Sequence, residues 1–308
     1  MRVIERVAGL QEQSRQWKTG GHTVALVPTM GALHPGHLSL VRAAHAGGPS
    51  TRVVVSVFVN PLQFGAGEDF NLYPRQFGTD LAMLEAAGVD TVFHPSVDEM
   101  YPAGFDTRII AGAVAAPLEG AARPGHFDGV VTAVARLLGA ALADRAYFGE
   151  KDAQQLAVIR RMVTDLAIPV EIVGCPTVRE DDGLAMSSRN GFLKGDHRRH
   201  ALALVRALAE AQGLYQEGFH DVAVLEAAML EVLHAQRGVT VEYARIVDPL
   251  TFESPPVEGR GVALVATRVG PVRLIDNAAL AARDVVGHRQ VRARTRTAGG
   301  GGGQRWSA

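Results

Sequence analysis

Two histidines three residues apart, His34 and His37, flank Gly36 in the stretch PTMGALHPGH, which runs from Pro28 to His37. At the mouth of a helix this spacing lets both imidazoles face one side and hold one group between them. The glycine lets a phosphate chain or an adenine lie against the backbone. Imidazole N–H donors aimed at a phosphorus act most strongly in the transition state, where losing one typically costs about 2.7 to 4 kcal/mol. The competing readings are a pair of capping or surface histidines, or half of a zinc site, which lacks a third ligand at a typical spacing.

Three further groups carry chemistry. Asn60 and Gln63 follow the apolar run VVVSVFV, and neutral amides that donate to a carboxylate and accept from a hydroxyl suit a small hydroxy acid, although taken alone Asn60 reads as turn chemistry and Gln63 as an exposed side chain. Asp80 either meets a ligand or magnesium, or stabilises the start of its helix. In FGEKDAQQL, Lys151 reaches phosphate as a mobile point charge, Asp152 caps a helix or takes a ribose hydroxyl, Glu150 reads as a solvated acid, and Gln155 faces inward one turn on. In REDDGLAMSSRN, Ser187, Ser188 and Arg189 offer two hydroxyls and a fork of donors that can close over a triphosphate, although a serine pair before a turn also serves local hydrogen bonding. Neither Cys175 nor the serines have an evident activating base, so no covalent enzyme intermediate is expected.

These groups need a scaffold that brings strand ends together. From about residue 22 to 174, β-branched runs (TVALV, RVVVSVFV, TVFH, AYF, PVEIV) alternate with Ala- and Leu-rich periodic segments, which predicts a parallel sheet with crossover helices. In such a sheet, ligands bind beyond the carboxyl ends of the strands, where the first amides of the next helix favour an anion. After PTVREDDGLAMSSRN the texture changes to two long helical stretches and three strand-like runs, TVEYARIV, GVALVATRV and VRLIDN, which predict a small antiparallel sheet on two helices. The expected division is residues 1–177, 178–284 and a glycine-rich tail, 285–308, expected to be disordered.

The totals narrow the function. Thirty-one basic residues against 32 acidic ones give a formal charge of -1 and no footprint for nucleic acid. Cys175 is the single cysteine, which excludes an intrachain disulfide and suits a reducing compartment. The charged first segment lacks a signal-peptide pattern, and the most apolar stretches are too short to cross a bilayer. A cytoplasmic protein without membrane or nucleic-acid partners is expected.

HPGH, His34 to His37, matches the HxGH signature of the nucleotidylyltransferase superfamily, and MSSR, Met186 to Arg189, sits where that class has its second phosphate loop. Eight segments in order, VPTMGALHPGH, VSVFVNPLQFG, YPR, RPGHFDGVVT, FGEKDAQQL, PTVREDDGLAMSSRN, VEYARIVD and RLIDN, make the chain resemble the pantoate:beta-alanine ligase family from residue 27 to 277. Leu62, Arg136 and Ala153 depart from common family residues at the edges of the site. The resemblance implies an α/β fold: a Rossmann-like parallel-sheet domain with a smaller α+β C-terminal lid domain, forming a homodimer. It implies attack of pantoate on the α-phosphorus of magnesium ATP, giving an enzyme-bound pantoyl adenylate and pyrophosphate, and then displacement of AMP by beta-alanine. Carried over by position, Met30, Gly31, Ala32, Leu33, His34, Pro35, Gly36, His37, Gly149, Glu150, Lys151, Asp152, Val178, Met186, Ser187, Ser188 and Arg189 contact ATP. Met30, Gln63 and Gln155 hold pantoate, Gln63 also meets beta-alanine, and His34, His37 and Lys151 are catalytic, with Mg2+ arriving on ATP and no metal held by the protein itself. His37 is the family's labelled proton donor, but acyl adenylation needs charge stabilisation more than proton delivery, so hydrogen bonding is the expected role. Transfer of a nucleotidyl group to a phosphate-bearing acceptor is the nearest rival, and a nucleotide-binding regulator without turnover is the next.

Overall fold

The computed structural model describes residues 1–65, 70, 73–254 and 261–280, so the tail from 285 to 308 lies outside the described residues. The first unit is a six-stranded, wholly parallel sheet. Its strands are β1 (Arg2–Ile4), β2 (Thr23–Thr29), β3 (Thr51–Val57), β4 (Thr91–Phe93), β5 (Arg145–Gly149) and β6 (Glu171–Cys175), in the order β1-β4-β3-β2-β5-β6. The helices are α1 (Val7–Thr19), α2 (Pro35–His45), α3 (Phe77–Ala86), α4 (Val97–Met100), α5 (Glu119–Ala122), α6 (His126–Ala141) and α7 (Ala153–Asp165). The strands beyond β1 fall where the β-branched runs predict them. β1, an edge strand on β4, is not anticipated, because three residues with one apolar alternation carry too little period to read.

Burial explains why β2 is apolar throughout. Val24 and Leu26 pack with α1, α6 and α7, while Ala25 and Val27 pack with α2 and α3, so successive side chains enter two different cores. The second unit has helices α8 (Asp196–Gln216) and α9 (Val222–Ala235) against the antiparallel sheet β7 (Val239–Val247), β8 (Val262–Val269) and β9 (Val272–Ala279). A small apolar cluster of Ala157 with Val247, Phe252, Val262 and Leu264 joins this sheet to α7.

Register creates the opening that matters. β2 pairs with β3 along its full length, from Thr23 opposite Thr51 to Thr29 opposite Val57. On its other side it pairs with β5 only at Ala25 and Leu26. Beyond those residues β5 stays with β6 as far as Gly149 and Cys175, and so parts from β2. The sheet therefore opens at the carboxyl ends of β2 and β5, where the strand order reverses direction.

Candidate active site

The loop leaving β2 is held in an unusual path from outside. Gly31 and Ala32 have φ of 83° and 50°. The Asp80 carboxylate, 1% exposed at the start of α3, accepts the backbone N–H groups of Ala32 at 3.0 Å and Leu33 at 2.8 Å. Asp80 is thus committed to the protein's own amides, a role that neither of its sequence readings gives: it shapes the loop. A Cβ at Gly31 would lie 3.0 Å from Asp80 Oδ2, so the close approach and the positive φ both require glycine.

His34 stands at the N-cap of α2, which begins at Pro35, so the whole HPGH stretch belongs to the helix start instead of preceding it. The two imidazole centroids are 4.0 Å apart. The His34 backbone N–H donates to His37 Nδ1 at 3.3 Å, which places the proton of a neutral His37 on Nε2. Burial, and then the neighbouring His34 and Lys151, push His37 down to about 3, and burial with Lys151 lowers His34 as well. Both rings are neutral at pH 7. The space a side chain at Gly36 would need is taken by the His34 ring, 2.9 Å from the ideal Cβ, so this glycine first serves the histidine pair itself.

At the end of β5, Lys151 lies in a 3-10 turn with Nζ 3.7 Å from Asp152 Oδ1. Asn277 of β9 donates to the carbonyls of Glu150 at 2.9 Å and Lys151 at 2.8 Å, fixing the turn from the second unit. Consecutive glutamines on α7 face opposite ways. Gln154 is buried and bonded to Glu119, Val114 and Pro117, whereas Gln155 lines the opening between the strands.

On the far rim Gln63 Nε2 donates to Met30 Sδ at 3.1 Å, and the Gln63 carbonyl accepts from His126 Nδ1 at 2.8 Å. Asn60 follows its turn reading and not its reading as a recognition amide. It is 2% exposed, and its amide bonds Gly129, Gln63, Leu62 and Tyr101, which leaves it a supporting role. The fourth wall is the segment from Val178 to Arg189. The Met186 N–H donates to the Val178 carbonyl at 2.9 Å, Ser187 Oγ accepts the Arg189 N–H at 3.3 Å, and Arg179 pairs with the buried Asp276 at 2.7 Å.

One cavity of about 270 Å³ collects Met30, His34, Gly36, His37, Gln63, Gly149, Lys151, Asp152, Gln155, Val178 and Met186 to Arg189. Gly31, Ala32, Leu33, Pro35 and Glu150 do not line it, and the first three shape the loop behind it. It shares Lys151, Asp152, Ser187, Ser188 and Arg189 with a wider groove of about 1190 Å³ between the two units. Arg123 and His126 also line the cavity. They lie in RPGHFDGVVT, where polar side chains opening an otherwise apolar helix were the available signal. Tyr101, Asp80 and Asn277 act from a distance, and nothing in their local sequence gives their partners.

The model of the pantoate-beta-alanine ligase family matches residues 2–279. The chain belongs to that family. Among curated relatives of these ligases, the pantothenate synthetase of Roseiflexus castenholzii is 53% identical over 284 residues, covering 92% of this chain and 100% of its own length. The pantothenate synthetase of Geobacter sulfurreducens is 49% identical over 283 residues, covering 91% and 99%. Of solved ligase structures, pantothenate synthetase from Thermus thermophilus aligns with a TM-score of 0.84 at 49% identity, covering 91% of this chain and 100% of that one. The pantoate-beta-alanine ligase of Francisella tularensis, complexed with beta-gamma ATP and beta-alanine, aligns with a TM-score of 0.70 at 32% identity, covering 91% and 97%. The Rossmann-like sheet with a small antiparallel second unit, expected from the resemblance, is the ligase fold.

Proposed function

We propose that the cavity between β2 and β5 joins pantoate to beta-alanine at the expense of ATP, with its substrates held by the residues that line it. A pantoate carboxylate oxygen attacks the α-phosphorus, the bond from that phosphorus to the bridging β-phosphate oxygen breaks, and pyrophosphate leaves. The beta-alanine amine then attacks the acyl carbon of the pantoyl adenylate, loses a proton, and AMP departs with the former carboxylate oxygen. His34 and His37 donate N–H groups to the nucleotide phosphates. As a neutral ring with its proton on Nε2, His37 serves as a donor to developing charge and has no second proton to give at pH 7. Lys151, Ser187, Ser188 and Arg189 take the triphosphate, Val178 and the turn Gly149 to Asp152 lie along the nucleotide, and Met30, Gln63 and Gln155 hold pantoate, with Gln63 also beside beta-alanine.

The observation that carries this reading is convergence: two neutral imidazoles, one ammonium and two amides line a single cavity where the sheet opens. On the acceptor side the amides of Gln63 and Gln155 can donate to a carboxylate and accept from a hydroxyl, and the Arg123 guanidinium beside Gln63 adds a charge for a carboxylate. Magnesium fits the donor set. It is commonly bound by one or two carboxylates together with substrate phosphates, and among the described residues Asp152 is the carboxylate lining the cavity. Bound there, it would neutralise charge on the triphosphate. The proposal extends to a homodimer in the cytoplasm, with the unit from residue 178 acting as a lid. With purified protein and no beta-alanine, we expect pantoate-dependent exchange of labelled pyrophosphate into ATP, followed by AMP release when beta-alanine is added. No AMP at saturating ATP would favour the rival transfer to a phosphate-bearing acceptor.

A further inference from the structure

Asn60 supports Gln63 in a way that determines what Gln63 can recognise. Two of its neighbours have only one possible role. The Leu62 backbone N–H can only donate, and it lies 3.2 Å from Asn60 Oδ1. The Gly129 carbonyl can only accept, and it lies 3.0 Å from Nδ2. Together they fix which end of the amide is oxygen and which is nitrogen. The Tyr101 hydroxyl, 2.7 Å from Oδ1, must then be a donor. The Gln63 atom 3.0 Å from Nδ2 must be an acceptor, hence Oε1. That leaves Gln63 Nε2 turned to the other side, toward Met30 Sδ and the cavity.

The rest of the fold holds this chain of bonds in place. A Cβ at Gly129 would fall 2.1 Å from the Leu62 carbonyl oxygen, so the glycine lets the turn at 61–63 sit directly on α6. The Tyr101 ring packs between Phe58 and Phe105, with centroids 6.0 and 5.0 Å away. Burial pushes its hydroxyl up to about 12 against the opposing charges of Arg136 and Arg108, so it keeps its proton.

We propose that Tyr101 and Asn60 are positioning residues that lock the Gln63 amide with its N–H donors facing the cavity, so that position 63 selects an oxygen acceptor on the hydroxy acid. This rests on the reading that the Gln63 side of the cavity takes pantoate. Tyr101→Phe keeps the ring and removes only the donor, and Asn60→Asp replaces the Nδ2 donor by an oxygen, inviting Gln63 to turn Oε1 toward the substrate. Steady-state kinetics of the full-length enzyme, with thermal unfolding of each variant, tests it. Tyr101→Phe should raise KM for pantoate about 3- to 10-fold, the range for one lost hydrogen bond, with KM for ATP within about twofold of the parent. A folded Asn60→Asp enzyme should show the larger rise. Equal KM values for pantoate in parent and Tyr101→Phe, or matched rises for pantoate and ATP, would overturn the proposal, as would a lowered unfolding temperature with unchanged KM. Failure of the parent enzyme to form AMP from pantoate and ATP would instead remove the functional reading beneath it.

Discussion

His37 carries the clearest consequence at the scale of single residues. Its Nδ1 is held by the His34 amide, so removing the ring deletes the Nε2 donor proposed to meet the nucleotide. His37→Ala should lower kcat by about 10²- to 10³-fold, corresponding to the loss of one such donor, with a smaller change in KM for ATP, as measured by initial rates. The same residue makes stability pH-dependent. Its folded pKa, about 3, lies below the ordinary value of 6.5, so between those limits the unfolded chain binds the extra proton. Stability should be fully present above pH 6.5 and decline as pH falls toward 3. Denaturant titrations should find a shallower decline for His37→Ala than for the parent. The histidine pair is legible in the sequence because two imidazoles three residues apart after a buried strand are not needed to fill a core. The amide of Asn60 misleads because type and position match a ligand contact, while its burial depends on Gly129 and Tyr101, far off along the chain.

Elements, in turn, position these residues through bonds that no local pattern encodes. The sequence places β2 to β9 and the long helices, since apolar period and β-branched runs are local properties. It cannot give the two-residue pairing of β2 with β5, which opens the sheet, because register is settled between strands more than a hundred residues apart. Asp80 illustrates the same limit: an acid in the first turn of α3 reads as a helix stabiliser, yet it fixes the path of a loop 47 residues earlier. Asp80→Asn retains one acceptor oxygen for two amides and loses the charge. It should cost about 1.5 to 3 kcal/mol in urea unfolding, the range for a hydrogen bond to a charged group, and should raise KM for ATP because Gly31 to Leu33 no longer hold His34 in place. A variant with altered stability but parental KM for ATP would show that the loop keeps its path without the carboxylate.

Across the whole molecule, the two units meet through polar contacts beside the cavity. Arg273 of β9 forms a two-pronged pair with Glu119 of α5, at 2.7 Å on both arms, and Tyr243 of β7 donates to the same carboxylate at 2.7 Å. Burial works against the charged form of Glu119, but hydrogen bonds and charge from Arg273, with the Tyr243 hydroxyl, outweigh it and hold the acid below its ordinary range. Glu119→Ala would leave Arg273 with Glu242 as its remaining acid among the described residues and should destabilise the chain by about 3 kcal/mol, the lower end for breaking a buried pair. It should also raise KM for ATP, because β9 holds the Lys151 turn through Asn277 and the serine loop through Arg179 and Asp276. Calorimetry and ATP kinetics on one variant read both effects. The proposed reaction depends on the cavity aiming a pantoate carboxylate oxygen at the innermost phosphorus of ATP. Running the complete reaction with pantoate labelled by 18O in both carboxylate oxygens, and weighing the products by mass spectrometry, tests this directly. One label should appear in AMP and one should remain in the pantothenate amide, whereas unlabelled AMP with label in phosphate or pyrophosphate would contradict it.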